Sequence, residues 1–109
     1  MDPINIAAIR HALGLSAQQL AAKVGVHQRS VQDWESGTRR ISPANAHNLQ
    51  HLIEHHAQIM NEALATAATG EPVPLPSDWP RSQRIALAAA VLAQNPTATF
   101  SETHHKPSP

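Results

Sequence analysis

Residues 14–40 read GLSAQQLAAKVGVHQRSVQDWESGTRR. Ser16 followed by Gln19 three positions on is a capping box, so a helix is expected to begin there, with Leu20, Ala21 and Val24 on one face until Gly25 stops it. After a turn of only Gly25-Val26, a second helical segment from His27 to about Glu35 turns Val31 and Trp34 inward and ends at Gly37, a residue suited to a left-handed cap. The two helices are nearly contiguous. Upstream, Ile6, Ile9 and Leu13 predict a short helix over residues 4–13, closed by Gly14.

Downstream, Ser42-Pro43 supplies an N-cap and a proline at the first helical position, and neither Gly nor Pro recurs until Gly70. One long helix is expected over 42–69. Its apolar positions Ala46, Leu49, Ile53, Met60, Ala63 and Ala67 alternate three and four apart, with His56 in the missing slot. Three short helices cannot cover so long a stripe, so part of it is expected to meet a second copy or a later helix. Residues 70–80, GEPVPLPSDWP, hold four prolines and a glycine and read as an extended linker. RSQRIALAAAVLAQ, residues 81–94, predicts a final helix presenting Ile85, Leu87, Ala88, Val91 and Leu92. The tail from Pro96, anchored only by Phe100, reads as loosely held.

Composition supports the same class. Of 109 residues, 41% are apolar and only 3% aromatic, with few β-branched runs, which favours helix packing over sheet. An all-α fold is expected. No stretch approaches a membrane span and the N-terminus lacks an export signal, so a cytoplasmic protein is expected, with no membrane partner. The absence of Cys excludes disulfides, thiolate metal sites and a cysteine nucleophile. Net charge is zero, which excludes a generally cationic coat. The distribution is nevertheless uneven: Arg10, Lys23, Arg29, Arg39 and Arg40 in the first 45 residues outnumber Asp2, Asp33 and Glu35 by two.

Two short helices joined by a tight glycine turn have the geometry of a helix-turn-helix, in which the second helix enters the major groove of DNA. Its outer face must then be free of core duty, and His27, Gln28, Arg29, Gln32 and Asp33 are the residues left outside. Glutamine bonds adenine in two places and arginine bonds guanine in two places, while Asp33 can accept from cytosine or pair instead with Arg29 or Arg40. Trp34 is most simply core.

The stretch resembles the Cro/cI-type (XRE) phage-repressor family. Gly14-Leu15-Ser16, Gln19-Leu20-Ala21, Val24-Gly25-Val26 and Trp34-Glu35-Ser36-Gly37 carry the likeness, over about residues 4–43. The resemblance implies a lambda-repressor-like domain with base contacts from Gln28, Arg29, Gln32 and Asp33. It also implies phosphate contacts from Arg39 and Arg40, with His27 beside them, and a structural ion pair between Arg10 and Glu35. Ala17 stands where the family often carries a glutamine near the DNA backbone, so that contact is expected from Ser16 or Gln18. More weakly, the long helix, the Pro-rich segment and Trp79-Pro80-Arg81-Ser82-Gln83 resemble anti-CRISPR-associated autoregulators, dimeric repressors of phages and mobile elements.

Four histidines, His47, His51, His55 and His56, fall within ten residues. His51-Leu52-Ile53-Glu54-His55 has the H-x-x-E-H form of inverted zinc peptidases, yet no further acidic ligand or cleft accompanies it. The favoured reading is helix-surface or dimer-interface histidines, with incidental zinc or nickel capture and a pH-dependent dimer as alternatives. No catalytic residue, metal or cofactor is therefore assigned, and no enzyme activity.

The organisation expected is a DNA-binding domain over 1–41, a long supporting helix over 42–69, a linker over 70–80, a dimerisation helix over 81–95 and a flexible tail over 96–109. Leu49, Ile53, Met60, Ile85, Ala88, Val91 and Leu92 are the expected dimer contacts. The function expected is a homodimeric, sequence-specific transcriptional repressor acting on an inverted repeat in double-stranded DNA. The alternative is an antitoxin-like or adaptor module that binds a partner protein.

Overall fold

A computed structural model describes residues 2–102. Among them the elements run α1 (Pro3–Leu13), α2 (Ala17–Val24), α3 (Gln28–Ser36), α4 (Pro43–Ala68), β1 (Val73–Leu75), α5 (Arg81–Gln94) and β2 (Phe100–Glu102). The fold is predominantly helical, and no described helix is long and apolar enough to cross a membrane. The described residues form two compact units that divide between His56 and Ala57.

The first unit is assembled from strong local signals. The capping box closes as the spacing predicts: Ser16 Oγ accepts from the Gln19 N–H at 3.1 Å, and Gln19 Oε1 accepts from the Ser16 N–H at 2.9 Å. Gly25 then takes φ 74°, a left-handed conformation that costs a side-chain-bearing residue about 1 kcal/mol or more, and the Val26 N–H returns to the Ala21 carbonyl. This turn sets α3 against α2. At α4, Ser42 caps through its Oγ, which accepts from the Asn45 N–H at 3.2 Å.

Beneath these helices lies a core of Ile6, Leu13, Leu15, Leu20, Ala21, Val24, Val31, Trp34, Ile41 and Leu49. Each large side chain fully buried there contributes about 1.5–3 kcal/mol. Leu49 and the partly buried Ile53 pack on this intramolecular core. Leu49 therefore has no surface to give a dimer partner, contrary to the sequence expectation.

The second unit departs further from that expectation. The segment 70–80 is not a free linker, because Val73, Leu75 and Trp79 are buried with Ala63, Ala67, Leu87 and Val91 in a second core. Nor is all of 96–109 a loose tail. β2 pairs in parallel with β1, Val73 opposite Phe100 and Leu75 opposite Glu102, and the Val73 N–H donates to the Thr99 carbonyl at 2.8 Å. Residues 103–109 of the expected tail lie outside the described residues.

Parallel strands need a crossover, and α5 supplies it. Pro74 is tolerated because a two-stranded pair has open edges that need no N–H from it. Asn95 Nδ2 donates to the Ala67 carbonyl at the end of α4, and Arg84 reaches Glu102 on β2 at 3.3 Å. Met60 and Ala88 pack on this core and Val91 is fully buried within it. These three expected dimer contacts thus serve the protomer's own packing. Ile85 and Leu92 remain exposed, at 54% and 39%.

Candidate nucleic-acid interface

In α3 the core takes Val31 and Trp34, three residues apart on one face, and both are buried. The opposite face is left to Gln28, Arg29 and Gln32, all exposed, with His27 exposed at the N-cap. One helix thus combines an anchored apolar face with a polar face whose donors and acceptors match base edges. Its start is aimed by the Gly25 turn and its end by Gly37, which adopts φ 81°.

Asp33 behaves differently from its neighbours. Its Oδ1 accepts from Arg29 Nε at 3.2 Å, and its Oδ2 lies 3.8 Å from the Arg39 guanidinium. The Arg39 N–H also donates to the Asp33 carbonyl at 3.1 Å. The Asp33 side chain is only 13% exposed, against 80% for Arg29. A covered carboxylate between two guanidiniums has little surface to offer a base; it orients the arginines instead. Arg39 and Arg40 are exposed in the loop after α3.

Arg39 lies six positions after Asp33, and no helical periodicity links them. Only the chain reversal at Gly37-Thr38 brings them together, a turn further tied by Ser36 Oγ and Thr38 Oγ1 at 2.9 Å. The Asp33 to Arg39 contact was therefore invisible to spacing rules.

Behind this surface, Arg10 and Glu35 meet in a bidentate pair, Nε to Oε2 at 2.5 Å and the second guanidinium nitrogen to Oε1 at 2.8 Å. The remaining guanidinium nitrogen donates to the Leu15 carbonyl at 3.0 Å. Arg10 thus ties α1 to the end of α3 and to the loop preceding α2. The hydrogen bonds that Arg10 donates to Glu35, together with the carboxylate's charge, raise the Arg10 pKa against the opposing effect of burial.

At the start of α2, the Ser16 amide and Oγ are both committed to the capping box, whereas Gln18 is exposed. The histidine row lies on α4, apart from α3 in sequence. His51 pairs with His47, their Nε2 atoms 3.0 Å apart, and Glu54 accepts from Gln50 at 3.3 Å. Glu54 is thus engaged by Gln50, and among the described residues no three His, Asp or Glu side chains converge on a metal-sized site.

Residues 6–52 match a protein-family model described as helix-turn-helix, a span that takes in most of α1, all of α2 and α3, and the first part of α4. The search of curated proteins gives no match for the chain. The matched span is somewhat less than half of the sequence, and it coincides with the unit whose core carries α3. Residues 6–52 therefore form a helix-turn-helix domain of the Cro/cI (XRE) type, the DNA-binding domain of a transcription regulator.

Proposed function

We propose that the protein is a homodimeric repressor that places α3 in the major groove and reads an inverted-repeat operator, without enzymatic activity. The observation that carries this reading is the exposed row Gln28, Arg29 and Gln32 on a helix locked from behind by Val31 and Trp34. Gln28 and Arg29 take base edges, with Gln32 beside them. Asp33 serves by orienting Arg29 and Arg39 instead of reading a base. Arg39 and Arg40 contact phosphates, joined by His27 at the α3 N-cap. Because the Ser16 amide is occupied, the backbone contact at the start of α2 falls mainly to Gln18, with the Ser16 hydroxyl as its neighbour.

One α3 spans only a few base pairs, so specificity calls for two copies on half-sites about one helical turn apart or a multiple of it. Exposed Ile85 and Leu92, seven residues apart on α5, offer the apolar strip for pairing, and exposed Ser82 and Ala89 fall on the same three-four spacing. Repression would be steric. The same strip is what a partner-protein module would use, and co-purification of a small second protein on α5 with no operator preference would favour that reading.

The test is a fluorescence-anisotropy titration against the DNA upstream of the protein's own gene, with scrambled duplex as competitor and sedimentation for mass. Competitor-resistant binding by a dimer supports the proposal. Binding no tighter than to scrambled duplex overturns it.

A further inference from the structure

The four-histidine stretch of α4 is not used by the DNA reading, and its geometry has a consequence of its own. We propose that His47 and His51 form a two-nitrogen chelating site for one divalent transition-metal ion of the imidazole-preferring class, zinc, nickel or copper.

The two residues are one helical turn apart, and both side chains are exposed. Their Nε2 atoms converge to 3.0 Å, with the rings edge to face, centroids 4.5 Å apart and planes at 78°. A metal-to-imidazole bond is about 2.0–2.1 Å, so two ligand nitrogens lie about 2.9 Å apart at a right angle at the metal and about 3.3 Å apart at a tetrahedral angle. The observed separation falls inside that interval. Without metal, a single proton shared between two neutral imidazoles satisfies the pair. When an ion binds, the donor ring's proton passes through solvent from Nε2 to its own Nδ1, so both Nε2 lone pairs face the ion, both Nδ1–H groups face outward and no net proton is lost.

The surroundings set the kind of site. His51 lines a shallow surface depression with Asn48, Leu52 and His55 of α4 and Lys23 at the end of α2. Glu54 is hydrogen-bonded to Gln50, and no third His, Asp or Glu converges there among the described residues. The protein therefore supplies two ligands and water supplies the rest. Such a site is open and exchangeable, and copper should bind most tightly, as the usual stability order of divalent ions requires.

The experiment uses the full chain without an affinity tag. Calorimetric titration with nickel should show one ion per chain. His47→Gln or His51→Gln should each weaken binding about a hundredfold, the advantage that two linked ligands hold over one. His55→Gln, and the double change of His104 and His105 to Gln, should leave that binding in place. Both target side chains are exposed, and circular dichroism verifies that each variant keeps its helicity. Copper electron paramagnetic resonance gives an independent readout on the unaltered chain, which should show two coordinated nitrogens. Tight binding that survives the His47→Gln, His51→Gln double variant, an equal loss in His55→Gln, or a single-nitrogen copper spectrum would each overturn the proposal.

Discussion

The two units close their cores in the same way and finish their surfaces in opposite ways. Each core buries one tryptophan, Trp34 in the first and Trp79 in the second. Above the first, the exposed face of α3 is Gln28, Arg29 and Gln32; on the second, α5 exposes Ile85 and Leu92. Identical packing chemistry thus supports a surface suited to base edges in one unit and to another protein surface in the other. The two units differ in what each helix leaves outside its core.

The comparison breaks most directly at the tryptophans. Trp34→Ala and Trp79→Ala should each cost about 3–5 kcal/mol. Each variant keeps the other tryptophan as a fluorescence reporter, so urea unfolding separates the two units. Trp34→Ala should abolish operator binding and leave the transition reported by Trp79 nearly in place, and Trp79→Ala should leave the one reported by Trp34; a large shift of the remaining reporter in both variants would contradict the division at His56.

Next in size is Glu35→Gln, which strips the carboxylate from a bidentate pair and should cost the first unit about 2 kcal/mol, measured by the same unfolding curves. Arg40→Ala should weaken binding to all duplexes alike and reduce the salt slope by about 1. A loss confined to the operator would reassign Arg40 to base reading.

The smallest effect concerns His56, whose pKa is lowered by burial and then by the neighbouring charge of His55. A histidine depressed in the folded state binds fewer protons there than in the unfolded chain. Its contribution is therefore complete above the unfolded value of about 6.5 and is lost as pH falls through the folded one. Stability should decline on acidification below about pH 6.5. His56→Leu should flatten that part of the curve, and an unchanged difference between the two proteins from pH 7 to pH 5 would remove the effect.

How legible each unit was follows from the range of its contacts. Ser16 with Gln19, the glycine stops at Gly14, Gly25 and Gly37, and Ser42-Pro43 are signals within a few residues, and they placed α1 to α4. They also marked out the exposed polar face of α3, because Val31 and Trp34 take its other side. In the second unit α5 was equally readable, from its apolar run after Pro80.

The strands were not readable. β1 gains its partner 27 positions away, and the prolines that made 70–80 resemble a linker are compatible with an edge strand. A period-two pattern cannot register in three residues. The dimer contacts were misjudged for a related reason: Leu49 and Val91 have the spacing of a seam, and spacing does not say which surface fills it. Asp33 was ambiguous until the Gly37 turn brought Arg39 to it.

The central claim is that α3 reads sequence through its exposed face, and the most direct measurement compares Arg29→Ala with the unaltered protein on operator and scrambled duplex at one salt concentration. The account predicts a loss of about 1–3 kcal/mol on the operator, a much smaller loss on scrambled DNA, and relaxed preference at one base pair of each half-site. Equal losses on both duplexes would make Arg29 a phosphate contact and contradict the assignment of α3 as the reading helix.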